Sequence, residues 1–329
     1  MEPIEAQSIP FRPWDGEIVL DRKTLPFVLA KKKGEGSKTP EGTGAYADIV
    51  ELNEDNIASF EGFVPADIAD HIGRVFFFGL VAMVHDVPSC GMVWELLNMR
   101  EQKEKESRIL WLKTLDEEAA DEMLKRYEGL LYEDGVKTSS YSIPAEPVCP
   151  EKEFLEARGF GADLSEGDEI IASLKQIRKI QLLKKTQADR ESKPLSELNQ
   201  SELEAALSRM EKMGFRGLCD DLIFLPRMYF ENEVSSCYVS ENQIQGLLLI
   251  HRLPSSRLKI VLLSALGKDY NRILVKLMKR TLDSLSELYP EDTEVIIDRH
   301  NLATLALGEK LFPNELGKPF FIGSRKEKA

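Results

Sequence analysis

Residues 258–312 read LKIVLLSALGKDYNRILVKLMKRTLDSLSELYPEDTEVIIDRHNLATLALGEKLF. Leu258 to Leu266 is an apolar run of a length that suits a buried strand, and Gly267 closes it. The period then changes from two to 3.6. Ile273, Leu274, Leu277, Met278, Leu282, Leu285 and Leu288 share one face of a helix that stops before Pro290. Glu294 to Asp298 reads as a strand and Asn301 to Phe312 as a further helix. Strand, long amphipathic helix and strand make a βαβ step, which lays two parallel strands side by side.

Working outward, Val234 to Val239 and Gln243 to Arg252 read as strands, the second joined to Leu258 across Pro254-Ser255-Ser256. Asn199 and Glu202 form a capping box for a helix with the stripe Leu203, Ala206, Leu207, Met210 and Met213, ended by Gly214. The first half follows the same programme. An irregularly apolar helical stretch from Asp55 to Ile72 is broken by Pro65. Strands Val75 to Val84 and Gly91 to Leu97 are joined across Pro88-Ser89, and a third runs from Arg108 to Thr114. A helix then carries Ala120, Met123, Leu124, Tyr127, Leu130 and Leu131 and stops by Gly135. The strand Val136 to Ile143 and the helix Glu151 to Arg158 complete the unit at Gly159-Phe160.

The long helices open near Glu117 and Tyr270, and the closing helices carry Leu155-Glu156 and Leu307-Gly308-Glu309. Both offsets are about 152 or 153 positions. The expected fold is α/β with an α+β type of mixed sheet, in two tandem copies at 48–174 and 196–329. A basic, polar connector at 175–195, helical where Ile177, Ile180 and Leu183 recur, joins them. An extension at 1–47 precedes them. Its stretch KKKGEGSKTPEGTG at 31–44 holds no apolar residue and is expected to be a mobile loop. A phosphate-binding loop needs glycine directly before the lysine and a helix after it, and Ser37 and Pro40 oppose both.

Composition sets the outer limits. A chain of 329 residues with 43% hydrophobic residues exceeds one ordinary core. A net charge of -13 and a pI near 5.0 repel phosphodiester backbones, so no nucleic-acid partner is expected. The longest apolar stretch, Val75 to Val84, falls short of the roughly 20 residues of a membrane helix, so no membrane partner and a cytoplasmic location are expected. Four dispersed cysteines and four dispersed histidines encode no local zinc site or disulfide framework. Cys237, in a strand between Ser236 and Tyr238, reads as a small buried residue.

With Asn301, Thr304, Leu307, Gly308 and Glu309-Lys310-Leu311-Phe312 at these spacings, and Leu155-Glu156-Ala157-Arg158-Gly159-Phe160 in the first copy, the chain resembles the GNAT superfamily of N-acetyltransferases over roughly 48–174 and 196–323. The resemblance implies two GNAT-like folds. It also implies acetyl-CoA or another acyl-CoA as co-substrate, and a small-molecule or peptide amine as acceptor. The two copies are expected to pack together. In such a fold two parallel strands splay to bond the pantetheine arm, and the pyrophosphate sits on the N-terminus of the long helix.

The first copy places Asp116, Glu117 and Glu118 at that turn, where they repel a diphosphate. The second copy has Gly267-Lys268-Asp269-Tyr270-Asn271-Arg272, and the resemblance assigns cofactor contacts to Ser264, Gly267, Lys268, Asn271, Arg272 and Asn301. Asn301 suits either a pantetheine contact or a helix cap. His300 or Asp298, or else His251 on the middle strand, would supply the base that frees the amine. The tyrosine that often protonates the leaving thiolate is replaced by Leu155 and Gly308. The alternative function is a non-catalytic GNAT-fold scaffold for ligand binding or protein interaction.

Overall fold

The computed structural model describes residues 46–99, 104–187, 189–212, 221–298 and 317–327. The expected mobile loop at 31–44, the end of the helix at Met213-Gly214 and the helix Asn301 to Phe312 lie outside them.

The described residues form one sheet of 12 strands. In chain order these are β1 (Asp48–Glu51), β2 (Phe77–Val84), β3 (Val87–Leu97), β4 (Glu106–Thr114), β5 (Thr138–Pro144), β6 (Asp163–Ser173), β7 (Ser192–Pro194), β8 (Ser236–Ser240), β9 (Gln243–Arg252), β10 (Leu258–Ala265), β11 (Glu294–Asp298) and β12 (Lys318–Lys326). Across the sheet they run β1-β2-β3-β4-β5-β12-β6-β11-β10-β9-β8-β7. Two neighbouring pairs are parallel, β4 with β5 and β10 with β11; the others are antiparallel.

The helices are α1 (Ala66–Ala69), α2 (Glu117–Asp134), α3 (Pro150–Ala157), α4 (Leu174–Ile177), α5 (Gln181–Lys185), α6 (Gln200–Lys212) and α7 (Tyr270–Leu288). The two long helices, α2 and α7, span the two parallel steps. All six residues of the stripe read on α2 are buried, and Gly135 ends that helix in the left-handed region at φ 70°. On α7 the residues Ile273, Leu277, Met278, Leu282 and Leu285 are buried, while Leu288 is exposed at the helix end.

Alternation along β9 shows how the sheet divides its two faces. Leu248 and Ile250 pack with Leu277 and Leu282 of α7, whereas Leu247 and Leu249 pack with Leu203 and Leu207 of α6. On that second face, farther along the sheet, Phe60, Val64 and Ile72 cover Val81 and Val93 with Trp111 against them. The helical stretch expected over 55–72 is two short turns, Ile57–Phe60, which stops at Glu61 where the backbone turns extended, and α1, which opens on Pro65. The connector at 175–195 holds α5 and β7 and most of α4, with Ile177 and Leu183 buried.

Ionic contacts tie residues 67–74 to residues 221–257. Arg74 grips the fully buried Asp221 with two bonds of 2.7 Å, and its guanidinium lies 4.2 Å over the Phe77 ring. Asp67 accepts from Arg257 at 2.6 Å and from Ser255. His251 stacks on Tyr229 at 3.8 Å and bonds Asp70 at 2.7 Å.

Candidate functional site

Both parallel pairs are short, and the first forks within the described residues. β4 and β5 pair from Glu106↔Thr138 to Ile109↔Tyr141, yet β4 continues to Thr114 and β5 to Pro144. β10 and β11 pair from Leu258↔Val295 to Ile260↔Ile297, yet β10 continues to Ala265. Each parallel pairing stops beside a bulge. Leu110 is the extra residue between Ile109 and Trp111 opposite β3, and Val261 is the extra residue between Ile260 and Leu262 opposite β9. An extra residue bends its strand and leaves backbone groups unpaired, and here it does so next to the last parallel pair.

The helix N-termini beyond the two parallel ladders differ. At α2 the Asp116 carboxylate accepts from the Ala119 backbone N–H at 2.9 Å and from the Tyr46 hydroxyl at 2.9 Å. Those bonds, with the Ala119 N–H first, hold the Asp116 carboxyl below the ordinary carboxylate range. Glu117 and Asp121 pair with Arg158. This terminus already holds its own anion.

At α7 the N-cap Asp269 makes no side-chain cap bond. Gly267 has φ 87°, and a Cβ built there meets nothing within 4 Å, so an approaching group reaches bare backbone. Lys268, Asn271 and Arg272 are exposed. Asp189 is occupied by Lys276 at 3.2 Å; the Glu191 N–H, then Lys276 and Arg272, hold its carboxyl low.

Of the other expected site residues, Ser264 is fully buried on β10 and its Oγ has no partner among the described residues. Asp298 ends β11. His300 and Asn301 lie outside the described residues, and His251 is engaged through both ring nitrogens, by Tyr229 O and Asp70. Cys237 is buried and its thiol is pushed up to about 11, first by burial, which keeps it a protonated packing group.

A cavity of about 560 Å³ lies at mid-sheet on the face opposite α2 and α7. Its floor is Arg108, Trp111, Ser142, Glu169, Lys259, Ile296 and Phe320, from six strands that alternate with residues facing the long helices. Its walls are α1 with Pro65 and His71, and the β9–β10 turn at Leu253 to Ser255. The charged lining residues are engaged: Arg108 pairs with Glu95, Arg257 with Asp67, and Glu169 and Lys259 also have partners.

His71 places its Nδ1 3.0 Å from the Asp67 carbonyl, which can only accept, so Nδ1 carries the proton. Burial first, then the cations Lys259 and Arg74, push its pKa down to about 3. The ring is neutral, and its Nε2 is an acceptor. Ser142 has a buried Oγ without a partner among the described residues. Neither residue carries a local signal in the sequence. They meet because of the strand order.

Among the described residues no helix is long and apolar enough to cross a membrane, and no group of His, Cys, Asp and Glu is arranged to hold a metal. No family model and no curated protein matches the sequence. Solved structures do. A tandem GNAT protein from the clavulanic acid biosynthesis pathway is similar with a TM-score of 0.53 and 10% identity, over 86% of this chain and 99% of that one. A GCN5-related glucosamine N-acetyltransferase region of a fungal multi-domain beta-N-acetylglucosaminidase is similar with a TM-score of 0.53 and 10% identity, over 86% of this chain and 38% of that one. The fold is that of the GNAT superfamily of N-acetyltransferases.

Proposed function

We propose that the chain is an acyl-CoA-dependent N-acyltransferase of acetyltransferase type, built from two tandem GNAT-like units at 48–174 and 196–329 with a linker at 175–195. The two units pack together within one chain, in the cytoplasm. The second unit holds acetyl-CoA or another acyl-CoA, and the acceptor is a small-molecule or peptide amine. The observation that carries the reading is the contrast between the two long helices: α2 opens on its own carboxylates, whereas α7 opens on Gly267, Lys268 and Arg272 with no side-chain cap. Exposed N–H groups, the positive end of the helix and two cations suit a diphosphate. The bulges at Leu110 and Val261, each beside the last pair of a parallel ladder, support the tandem reading.

In this assignment Gly267, Lys268, Asn271 and Arg272 hold the phosphates, and Ser264 and Asn301 contact the pantetheine arm. His300 or Asp298 takes the proton from the amine so that its lone pair can attack the thioester carbonyl. When bound, acyl-CoA supplies the activated acyl group and the thiolate as leaving group. Gly308 offers no hydroxyl for that thiolate, so water protonates it and turnover is slow. The same absence favours the second reading, a GNAT-fold scaffold that binds a ligand or a protein without catalysis.

Titration calorimetry with coenzyme A tests the assignment. The wild type is expected to bind weakly, and Lys268→Glu with Arg272→Glu is expected to lower affinity at least about tenfold, since each reversal replaces an attraction by a repulsion near the phosphates. Absence of wild-type binding at millimolar ligand would move the chain to the scaffold reading. Binding that survives the double variant but is lost on altering the Asp116 turn would move the site to the first unit.

A further inference from the structure

The segment from Pro65 to His71 is fastened from outside rather than from within. Val64 and Ile72 are buried on either side of it, yet none of the residues between them is buried. The side-chain bonds of Asp67 and Asp70 go instead to the other half of the sequence. Asp67 accepts from the Ser255 N–H at 2.9 Å, from Ser255 Oγ at 2.8 Å and from Arg257 at 2.6 Å, and Asp70, at the C-cap of α1, meets His251 of β9 at 2.7 Å. A segment held by a few polar bonds opens more readily than a core element does, because little apolar surface is exposed when it leaves.

How firm the fastening is depends on His251. Its Nδ1 lies 2.8 Å from the Tyr229 carbonyl oxygen and its Nε2 2.7 Å from the Asp70 carboxylate. Both partners only accept, and a neutral imidazole carries a single N–H, so the two bonds together require the imidazolium. The side chain is 10% exposed, which leaves little water to replace a bond that is lost. The surrounding charges are opposed. Lys259 is the direct cross-strand partner of His251 on β10, and Arg74, held by Asp221, lies 5.6 Å over the Tyr229 ring on which His251 stacks and donates to the Tyr229 hydroxyl at 3.4 Å. Asp70 answers those cations at the ring, while Asp67 is taken by Arg257. His71 stays neutral because burial, Lys259 and Arg74 oppose its charge, so of the two histidines at this contact His251 is the one that can change state.

We propose that Pro65 to His71 is a proton-controlled lid: with His251 charged the segment is latched onto β9 and the β9–β10 turn, and with His251 neutral one of its two bonds is lost and the segment opens. The closed form uses the proton, so by linkage opening becomes easier as pH rises. Since α1 walls the mid-sheet cavity, the same step widens the entrance to it. The lid involves neither coenzyme nor the α7 N-terminus, so it stands or falls apart from acyl transfer.

Backbone hydrogen exchange of the full chain from about pH 5 to about pH 8, expressed as protection relative to the unstructured rate at each pH, tests the latch. The amides of Ile68, Ala69 and Asp70, which donate to Pro65 O and Ala66 O, report on the lid, and those of Met123 and Leu124 in α2 serve as the control. Protection of the lid amides is expected to fall at least about tenfold across that range while α2 is unaffected. His251→Gln cannot carry the charge and is expected to show the low protection at every pH. Should that variant not fold, Asp70→Asn leaves the ring in place and is expected to give the same flat, low protection. In the wild type, nitrogen NMR of isotope-labelled histidine is expected to show both ring nitrogens of His251 protonated at the acid end, one proton leaving over the pH range in which protection falls, and His71 as a single neutral tautomer throughout. Wild-type protection independent of pH, a pH response retained in either variant, a fall shared equally by α2, or an unprotonated ring nitrogen on His251 at about pH 5 would each overturn the proposal.

Discussion

Asp221 is fully buried, and both its oxygens are taken by the guanidinium of Arg74, whose side chain is only 8% exposed. A buried ion pair gains little over well-packed apolar residues, but loss of one partner leaves a charge stranded out of water. Asp221→Ala is therefore expected to lower unfolding free energy by about 3–5 kcal/mol in urea titrations. Glu291→Ala makes a control, since Glu291 pairs with Arg178 at the surface and exposed pairs contribute roughly 0–1 kcal/mol. A loss below about 1 kcal/mol at Asp221 would show that water reaches the Arg74 guanidinium. The same contrast explains why Arg74 affects His71: a cation held in the interior by Asp221 acts on a neighbouring imidazole through a less screened medium than a surface one does.

At the scale of elements, the β2–β3 hairpin shows where sequence reading stops. Pro88-Ser89 was the expected turn, yet both residues lie in β3. The turn is His85-Asp86, closed by Val84↔Val87, with φ 51° and 63°. Two left-handed residues are what a two-residue hairpin turn needs, and Pro88 is accommodated where the register shifts between Ala82 and Met83. His85→Asn with Asp86→Gly, the pair that favours this turn, is expected to raise stability by about 1 kcal/mol in the same titrations, because histidine bears the steric cost of that region more than asparagine or glycine. An unchanged or lower midpoint would count against the turn assignment.

Elsewhere, β9 and β11 were legible at their observed ends, since a strand buried on both faces is a plain apolar run between turn residues. The capping box at Asn199 was equally legible: its Oδ1 accepts from Glu202 N at 2.9 Å and its N–H donates to the Glu202 carboxylate at 2.8 Å. β6 and β12 were not read. β6 contains Ser165, Gly167, Asp168 and Glu169, which breaks the apolar pattern, and Glu169 contributes to the cavity floor. β12 pairs with strands far away in sequence, and no local periodicity records such a partner. The open turn at Lys268 to Arg272 was visible because its residues are contiguous. The cavity was not, because His71, Trp111, Ser142 and Lys259 come together only through the strand order that β12 sets.

On the scale of the whole molecule, that strand order interlocks the two halves of the chain. β12, from the C-terminal half, lies between β5 and β6 of the N-terminal half, in register from Phe320↔Pro144 to Lys326↔Thr138. β6 in turn pairs with β11, from Glu294↔Ser173 to Asp298↔Glu169. The fit is close: a Cβ on Gly323 would lie 1.8 Å from the Gly161 carbonyl oxygen, while the Gly161 N–H donates to Ser324 O at 3.0 Å. A fragment 1–174 lacks β12, which leaves open the ladder edges of β5 and β6, and a fragment 175–329 lacks the strand that covers β11. Unpaired edges in the middle of a sheet invite aggregation. Each fragment expressed alone is thus expected to be aggregated or non-cooperative in calorimetry, and the two co-expressed are expected to co-purify one to one and melt in a single transition. Gly323→Val in the intact chain is expected to reproduce the loss without removing any residue, because the side chain has no room beside Gly161. Fragments that melt separately, each with the stability of the whole chain, would show that the halves fold without exchanging strands and would remove the structural basis for a cavity floored by both.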